Sequence, residues 1–315
     1  MARQLPELLT DQEFQARLRD LIQSFDQPRS NARSELRDLL NSDPARFCAL
    51  VRPCLEGLSD QAPACQFLAG LLAASDSFPR VLSDPSLMSL REAKALTSWM
   101  AQAEPALDLK LAHWVVHGGG GKADREAADP ARILRVLDIL EAFSKGTRIV
   151  PILVQLLRHP NSKVRSKAAL LAGRSLKSGQ WAERWLTETD PRVRANIIES
   201  LWGVKGPGVM DVLKVALRDP NNRVVGNALV GLYMLGDPAA SELLVQMASH
   251  TSASFRATAA WAMGFLEDPQ FLPTLGRMVH DKEALVRRNA LRALARIKKN
   301  TGQSLSQIAP LQTGE

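Results

Sequence analysis

The sequence has no apolar run of the roughly 18 residues that a membrane-crossing helix needs. Its first stretch, Met1 to Phe14, carries Gln, Glu and Asp where a secretory signal requires uncharged apolar residues, so a soluble cytoplasmic protein is the expectation. Cysteine is scarce: the 3 in the chain, Cys48, Cys54 and Cys65, fall in its first fifth without a Cys-x-x-Cys spacing, which points to buried thiols. Histidine numbers 5. His113 and His117 stand one helical turn apart, a spacing that can share a metal. Trp114-Val115-Val116 between them lacks the glutamate of a zinc-protease helix, and no His or Cys lies near in sequence to complete a site. Gly118 to Gly121 before Lys122 do not make a phosphate loop, because Val116 stands where its first glycine belongs and Ala123 where Ser or Thr must hold magnesium. Neither metal nor cofactor is expected.

What the chain does have is a repeat. A hydrophobic-plus-Arg step followed by a small or apolar residue recurs as Val164-Arg165 with Ala168, Val193-Arg194 with Ile197, Val224-Val225 with Ala228, Phe255-Arg256 with Ala259, and Val286-Arg287 with Ala290. The anchor positions 165, 194, 225, 256 and 287 are spaced 29, 31, 31 and 31 residues apart. A fixed period in this range marks a stacked array of supersecondary units.

In register, the row seven after the anchor reads Ala172, Leu201, Leu232, Met263, Leu294, which with the rows one before and three after gives one buried helical face. Twelve before reads Leu153, Ala182, Leu213, Leu244, Leu275, and eight before reads Leu157, Leu186, Leu217, Ala248, Val279, a second buried face on the preceding helix. Between them, six before the anchor, stand His159, Glu188, Asp219, His250 and Asp281, with Pro160 and Pro220 following as a turn requires. Each unit is an antiparallel helix pair too small to fold alone, so stacking must supply the rest of its stability.

These residues resemble the HEAT-repeat superfamily. The short period, with Val-Arg-x-x-Ala and with Leu-Gly-Asp-Pro at 235–238 or Leu-Glu-Asp-Pro at 266–269, is similar to its phycobilin-lyase-type branch. The resemblance covers about 150–300 and implies an all-α, right-handed α-α superhelix whose second helices line a concave groove. A weaker sixth unit precedes it, with Val136, Leu137, Leu140 and Phe143 in a shifted register. The organisation expected is a divergent helical region over 1–117, a Gly-rich loop or hinge over 118–131, the array over 132–300 and a disordered tail over 301–315.

The family is mostly adaptors and scaffolds, with a few enzymes. Its di-iron hydroxylases use His-Glu pairs, and none occurs here: the histidines are followed by Trp, Gly, Pro, Thr and Asp. Its alkylpurine DNA glycosylases need a carboxylate and stacking aromatics in the groove; Trp181 and Trp185 fall in rows otherwise apolar and read as core. Asp211 and Glu242 share a row on neighbouring units but open their helices, where a negative charge complements the exposed amides. No residue motif speaks for or against a bilin lyase.

The anchor arginines read as structural, with Glu188, Asp219 and Asp281 available as partners. Ten before the anchor reads Gln155, Arg184, Val215, Gln246, Arg277, and seven before reads Arg158, Thr187, Arg218, Ser249, His280. Flanking buried rows, Arg158, Arg184, Arg218 and Arg277 with Gln155, Gln246 and His280 are expected to climb the concave surface and grip carboxylates or phosphates. The final helix, with Arg288, Arg292 and Arg296 opposite Leu291, Leu294 and Ile297, reads chiefly as a polar cap.

The formal charge is +7, and the repeat half carries all of the excess. That favours an acidic partner. The expectation is a non-catalytic protein-interaction scaffold binding a partner protein along a basic groove. Nucleic-acid binding is the alternative, weakened by the lack of an aromatic series, since Trp261 shares its row with Glu199 and Arg292. A lyase or glycosylase of this fold comes third.

Overall fold

The computed structural model describes residues 9–27, 29–59, 62–117, 129–144 and 146–301. Every regular element among them is helical. The chain divides into two compact units, Met1–Val164 and Arg165–Glu315. Most of the Gly-rich segment, residues 118–128, lies outside the described residues, as does the tail from 302 onward.

In the first unit the helices are α1 (Asp11–Gln23), α2 (Ala32–Ser42), α3 (Pro44–Val51), α4 (Pro63–Ala74), α5 (Ser77–Ser83), α6 (Leu90–Ala103), α7 (Leu107–His117), α8 (Pro130–Phe143) and α9 (Val150–Leu156). The described part of 1–117 is helical, as expected. Helix α3 ends at Val51, because Pro53 has no N–H to continue the ladder and Arg52–Leu55 tightens into a 3₁₀ turn. Helix α5 holds Pro79 and two serines, poor helix formers, and burial of Phe78, Val81 and Leu82 overrides that preference. Two capping boxes, Thr10 with Glu13 and Ser89 with Glu92, start α1 and α6. The three thiols are buried.

Helix α10 (Ser162–Leu176) carries the first anchor and crosses the boundary between units. In the second unit, short helices α11 (Gly179–Trp185), α13 (Val209–Ala216), α15 (Ala240–Met247) and α17 (Leu272–Met278) alternate with anchor helices α12 (Pro191–Glu199), α14 (Asn222–Met234), α16 (Ala253–Leu266) and α18 (Ala284–Thr301). Consecutive anchor helices pack on one another as one layer, and each short helix packs against anchor helices as the other. The row three after the anchor is fully buried from Ala168 to Ala290, and so is the row twelve before from Leu153 to Leu275.

The Leu235-to-Pro238 turn closes α14 with Gly236 at φ 79, its N–H bonded to Tyr233 O and that of Asp237 to Leu232 O, both at 3.0 Å. The same conformation falls on Glu267 after α16.

Candidate partner-binding surface

The anchor arginines hold the units of the second body together. Arg194 donates from Nε and Nη2 to both oxygens of Asp219 at 2.7 and 3.0 Å, and Arg256 does the same to Asp281 at 2.7 and 2.9 Å. Arg165 holds Glu188 at 3.2 and 3.1 Å. The acid in each case belongs to the following unit, whereas Nη1 of Arg194 and Arg256 stays at home on the carbonyls six and five residues earlier. Planar bidentate geometry suits arginine alone among the cations.

The acid row has a second duty. His159, Glu188, Asp219, His250 and Asp281 each accept the backbone N–H of the residue two further on, at 2.8 to 3.1 Å. The row therefore requires an acceptor, which explains why imidazole and carboxylate share it.

Two more devices draw the anchor helices together. Two after the anchor, Asn196, Asn227 and Asn289 donate their amides to Ser166 O, Ala195 O and Ala257 O of the preceding helix at 3.1, 2.9 and 2.9 Å. Small residues then permit close approach: a Cβ on Gly264 would lie 2.6 Å from Ala293 Cβ, and one on Gly226 would collide with Thr258. The asparagine row was missed in the sequence, because its partners are backbone carbonyls, which no residue pattern names.

This close packing settles which residues face outward from the anchor layer. The rows two before and nine after the anchor, with Glu199, Trp261 and Arg292 of the row five after, share one helical face, while Leu170 and Val230 of that last row are buried. In the second unit that face exposes Arg174, Arg192, Arg223, Arg292 and Arg296; Glu199 lies 3.5 Å from Arg174, and Glu267, just after α16, lies 3.3 Å from Arg296. Midway along it sits an aromatic step. Trp202 lies tilted against Phe265 at 4.8 Å between ring centroids, and Trp261, 39 % exposed, stacks on Phe265 at 5.7 Å and lies 6.3 Å from Trp202. Trp202 is held by its indole N–H on Asn227 O at 2.8 Å. An open cavity of about 430 Å³ adjoins Trp261, lined also by Asn289, Arg292 and Arg296.

The arginines expected to line the groove belong to the other layer of the second unit. Arg184, Arg218 and Arg277, with Gln246 and His280, are exposed on the short helices or just after them, in the layer behind the anchor helices. These are the helices that precede each anchor, to which the sequence pattern assigned them. Arg158 and Gln155 are exposed at and just beyond α9 in the first unit.

Other sequence candidates resolve locally. Trp181 and Trp185 are half-buried, and the nearby Glu188 and Glu199 are paired with Arg165 and Arg174. Asp211 and Glu242 sit in the first turns of α13 and α15 without capping them; Gly208 and Ala239 hold those positions. His113 and His117 stack at 5.4 Å between ring centroids, and His117 Nδ1 lies 3.2 Å from His113 O. Burial pushes the Cys48 thiol up to about 12.

The family model for HEAT repeats matches residues 179–254 and 241–311. No curated protein matches the sequence. A solved structure described as an engineered protein from the Northeast Structural Genomics Consortium is 18% identical over 93% of this chain and 98% of that one, with a TM-score of 0.31, too loose a superposition to read an architecture from.

Proposed function

The chain belongs to the HEAT-repeat superfamily, and on that premise we propose that it is a non-catalytic docking scaffold whose second unit holds an acidic partner protein along the outward stripe of its anchor helices. The observation that carries this reading is the predominantly basic stripe: five exposed arginines, two of them paired with Glu199 and Glu267, and an aromatic step in the middle. Arginine and tryptophan are the side chains that most often anchor a protein interface, and a positive face speeds the encounter with an acidic one. HEAT arrays commonly bind proteins in this way, by holding variable surface residues on a repeated interior.

The test is affinity capture from native lysate, with and without nuclease, for three forms of the chain. One is the wild type, one carries Arg174, Arg192, Arg223 and Arg292 changed to Glu, and one carries Arg184, Arg218 and Arg277 changed to Glu. A defined protein that survives nuclease, is lost from the first variant and is kept by the second is the expected result. Loss from the second variant alone would move the site to the short-helix layer.

A second reading follows from Trp202, Trp261 and Phe265 lying beside Arg292, since stacked aromatics among arginines also suit single-stranded nucleic acid. Recovery of nucleic acid by the wild type alone, with a salt slope near −4 at about 0.9 per phosphate contact, would establish that reading instead.

A further inference from the structure

Each earlier anchor helix buries the side that meets the next unit. Four residues after the anchor, at the middle of that side, stand Ala169, Ile198, Leu229 and Ala260, all buried. In α18, the last described helix, the same position is Leu291, which is 58 % exposed. One turn before it, where the earlier units have Ser166, Ala195, Gly226 and Ala257, stands Arg288, also exposed.

Arg287 repeats half of the anchor arrangement. Its Nη1 donates to Asp281 O and Lys282 O, both at 2.8 Å, as the same atom of Arg256 donates to His250 O and Thr251 O at 2.9 Å. The guanidinium is thus fixed as in the other units. Its Nε–Nη2 edge, the edge that takes a carboxylate of the following unit in Arg194 and Arg256, has no carboxylate on it among the described residues.

We propose that this open side of α18 docks an acidic amphipathic helix from a partner protein, which sets a carboxylate on the Nε–Nη2 edge of Arg287 and an apolar side chain on Leu291. The interfaces inside the array show how that carboxylate is received. The occupant differs from a further repeat of this chain because Arg288 stands where small residues allow close approach elsewhere. It adds a second positive charge at a wider spacing, so a helix richer in carboxylates is the complement. This surface is separate from the outward stripe, so the two proposals fail independently.

The probe is a fluorescent peptide about 18 residues long, helical on its own, with a leucine face flanked by glutamates, beside a control with every glutamate replaced by lysine. Fluorescence anisotropy is read against the full-length chain. The expected result is saturable binding of the glutamate peptide only. Arg287→Gln and Leu291→Ser should each weaken it by about tenfold or more, as loss of a charge-assisted pair or a central apolar contact does. Arg192→Glu with Arg223→Glu should leave it unchanged. No saturable binding, equal binding of the lysine peptide, or indifference to both α18 substitutions overturns the proposal. So does slow maleimide labelling of Leu291→Cys in the full-length chain, because a side already covered cannot receive a partner.

Discussion

Arg256 and Asp281 lie 25 positions apart and meet across the boundary between two repeats, the guanidinium donating to both carboxylate oxygens at 2.7 and 2.9 Å. Arg256 is only 7 % exposed. Replacing Asp281 by alanine therefore leaves a buried guanidinium without its counter-charge, at an expected cost of about 3 kcal/mol. The hydrogen bonds from Arg256 hold the Asp281 carboxyl below its ordinary range. A carboxylate with a depressed folded-state pKa stabilises fully above its unfolded value of about 3.9, and that stability is lost as pH falls through the folded value. Urea denaturation of wild type and Asp281→Asn should differ at neutral pH, and the gap should narrow as pH falls below the unfolded value of about 3.9; a gap that stays constant into acid would refute the pairing.

Where the third anchor is Val225 instead of arginine, the acid of the following unit is His250, so both halves of the pair are missing together. Val225 is buried, and His250 stacks on Phe255 at 4.3 Å between centroids. Val225→Arg alone should destabilise, since it buries an unpaired charge. With His250→Asp added, a favourable coupling of about 1 to 2 kcal/mol is expected. A double-mutant cycle measures it directly, and additive single effects would mean that position 225 cannot adopt the geometry of 194 and 256.

The repeat itself was legible because its period, its buried rows and its acid turn depend on side chains that recur. The direction of the anchor pairs was not. Glu188, Asp219 and Asp281 lie six residues before the anchors of their own units, Arg194, Val225 and Arg287, yet they serve the arginines of the units before. Sequence distance favours the wrong partner, and only stacking brings the right one near. The outward stripe was hidden for a related reason: burial rows identify both helices of a pair, but which helices pack tightly depends on Gly226, Gly264 and the asparagine bridges acting between units. Trp202 and Phe265 belong to different rows and become one cluster with Trp261 only in three dimensions.

Asn227 links these features, for its side-chain amide donates to Ala195 O at 2.9 Å while its own carbonyl receives the Trp202 indole at 2.8 Å. Asn227→Ala should cost about 1 to 3 kcal/mol by leaving the Ala195 carbonyl short of a donor in a buried setting. It should also shift tryptophan emission as Trp202 loses its rigid support. Unchanged stability with unchanged emission would show the bridge to be incidental.

Cys48 should be inert in the native chain. Desolvation pushes its thiol up to about 12, so at pH 8 the nucleophilic thiolate is scarce, about one part in ten thousand by that gap. Iodoacetamide followed by mass spectrometry should label Cys48 no faster than the protein unfolds. Stoichiometric labelling under native conditions would contradict its burial.

Two glycines predict opposite outcomes from the same substitution. At Gly264 an added Cβ would lie 2.6 and 2.7 Å from Ala293 Cβ and Cα, in the contact between α16 and α18. One neighbouring atom belongs to backbone, so the helices must separate, and Gly264→Ala should cost about 1 to 3 kcal/mol. At Gly276, inside α17, a Cβ would meet nothing within 4 Å. Gly276→Ala should stabilise by about 0.5 to 1 kcal/mol, because alanine restricts the unfolded chain and favours helix. Thermal melts of the two variants should move in opposite directions from wild type. Equal shifts of either sign would mean that the approach of α16 to α18 is not what holds these units in register.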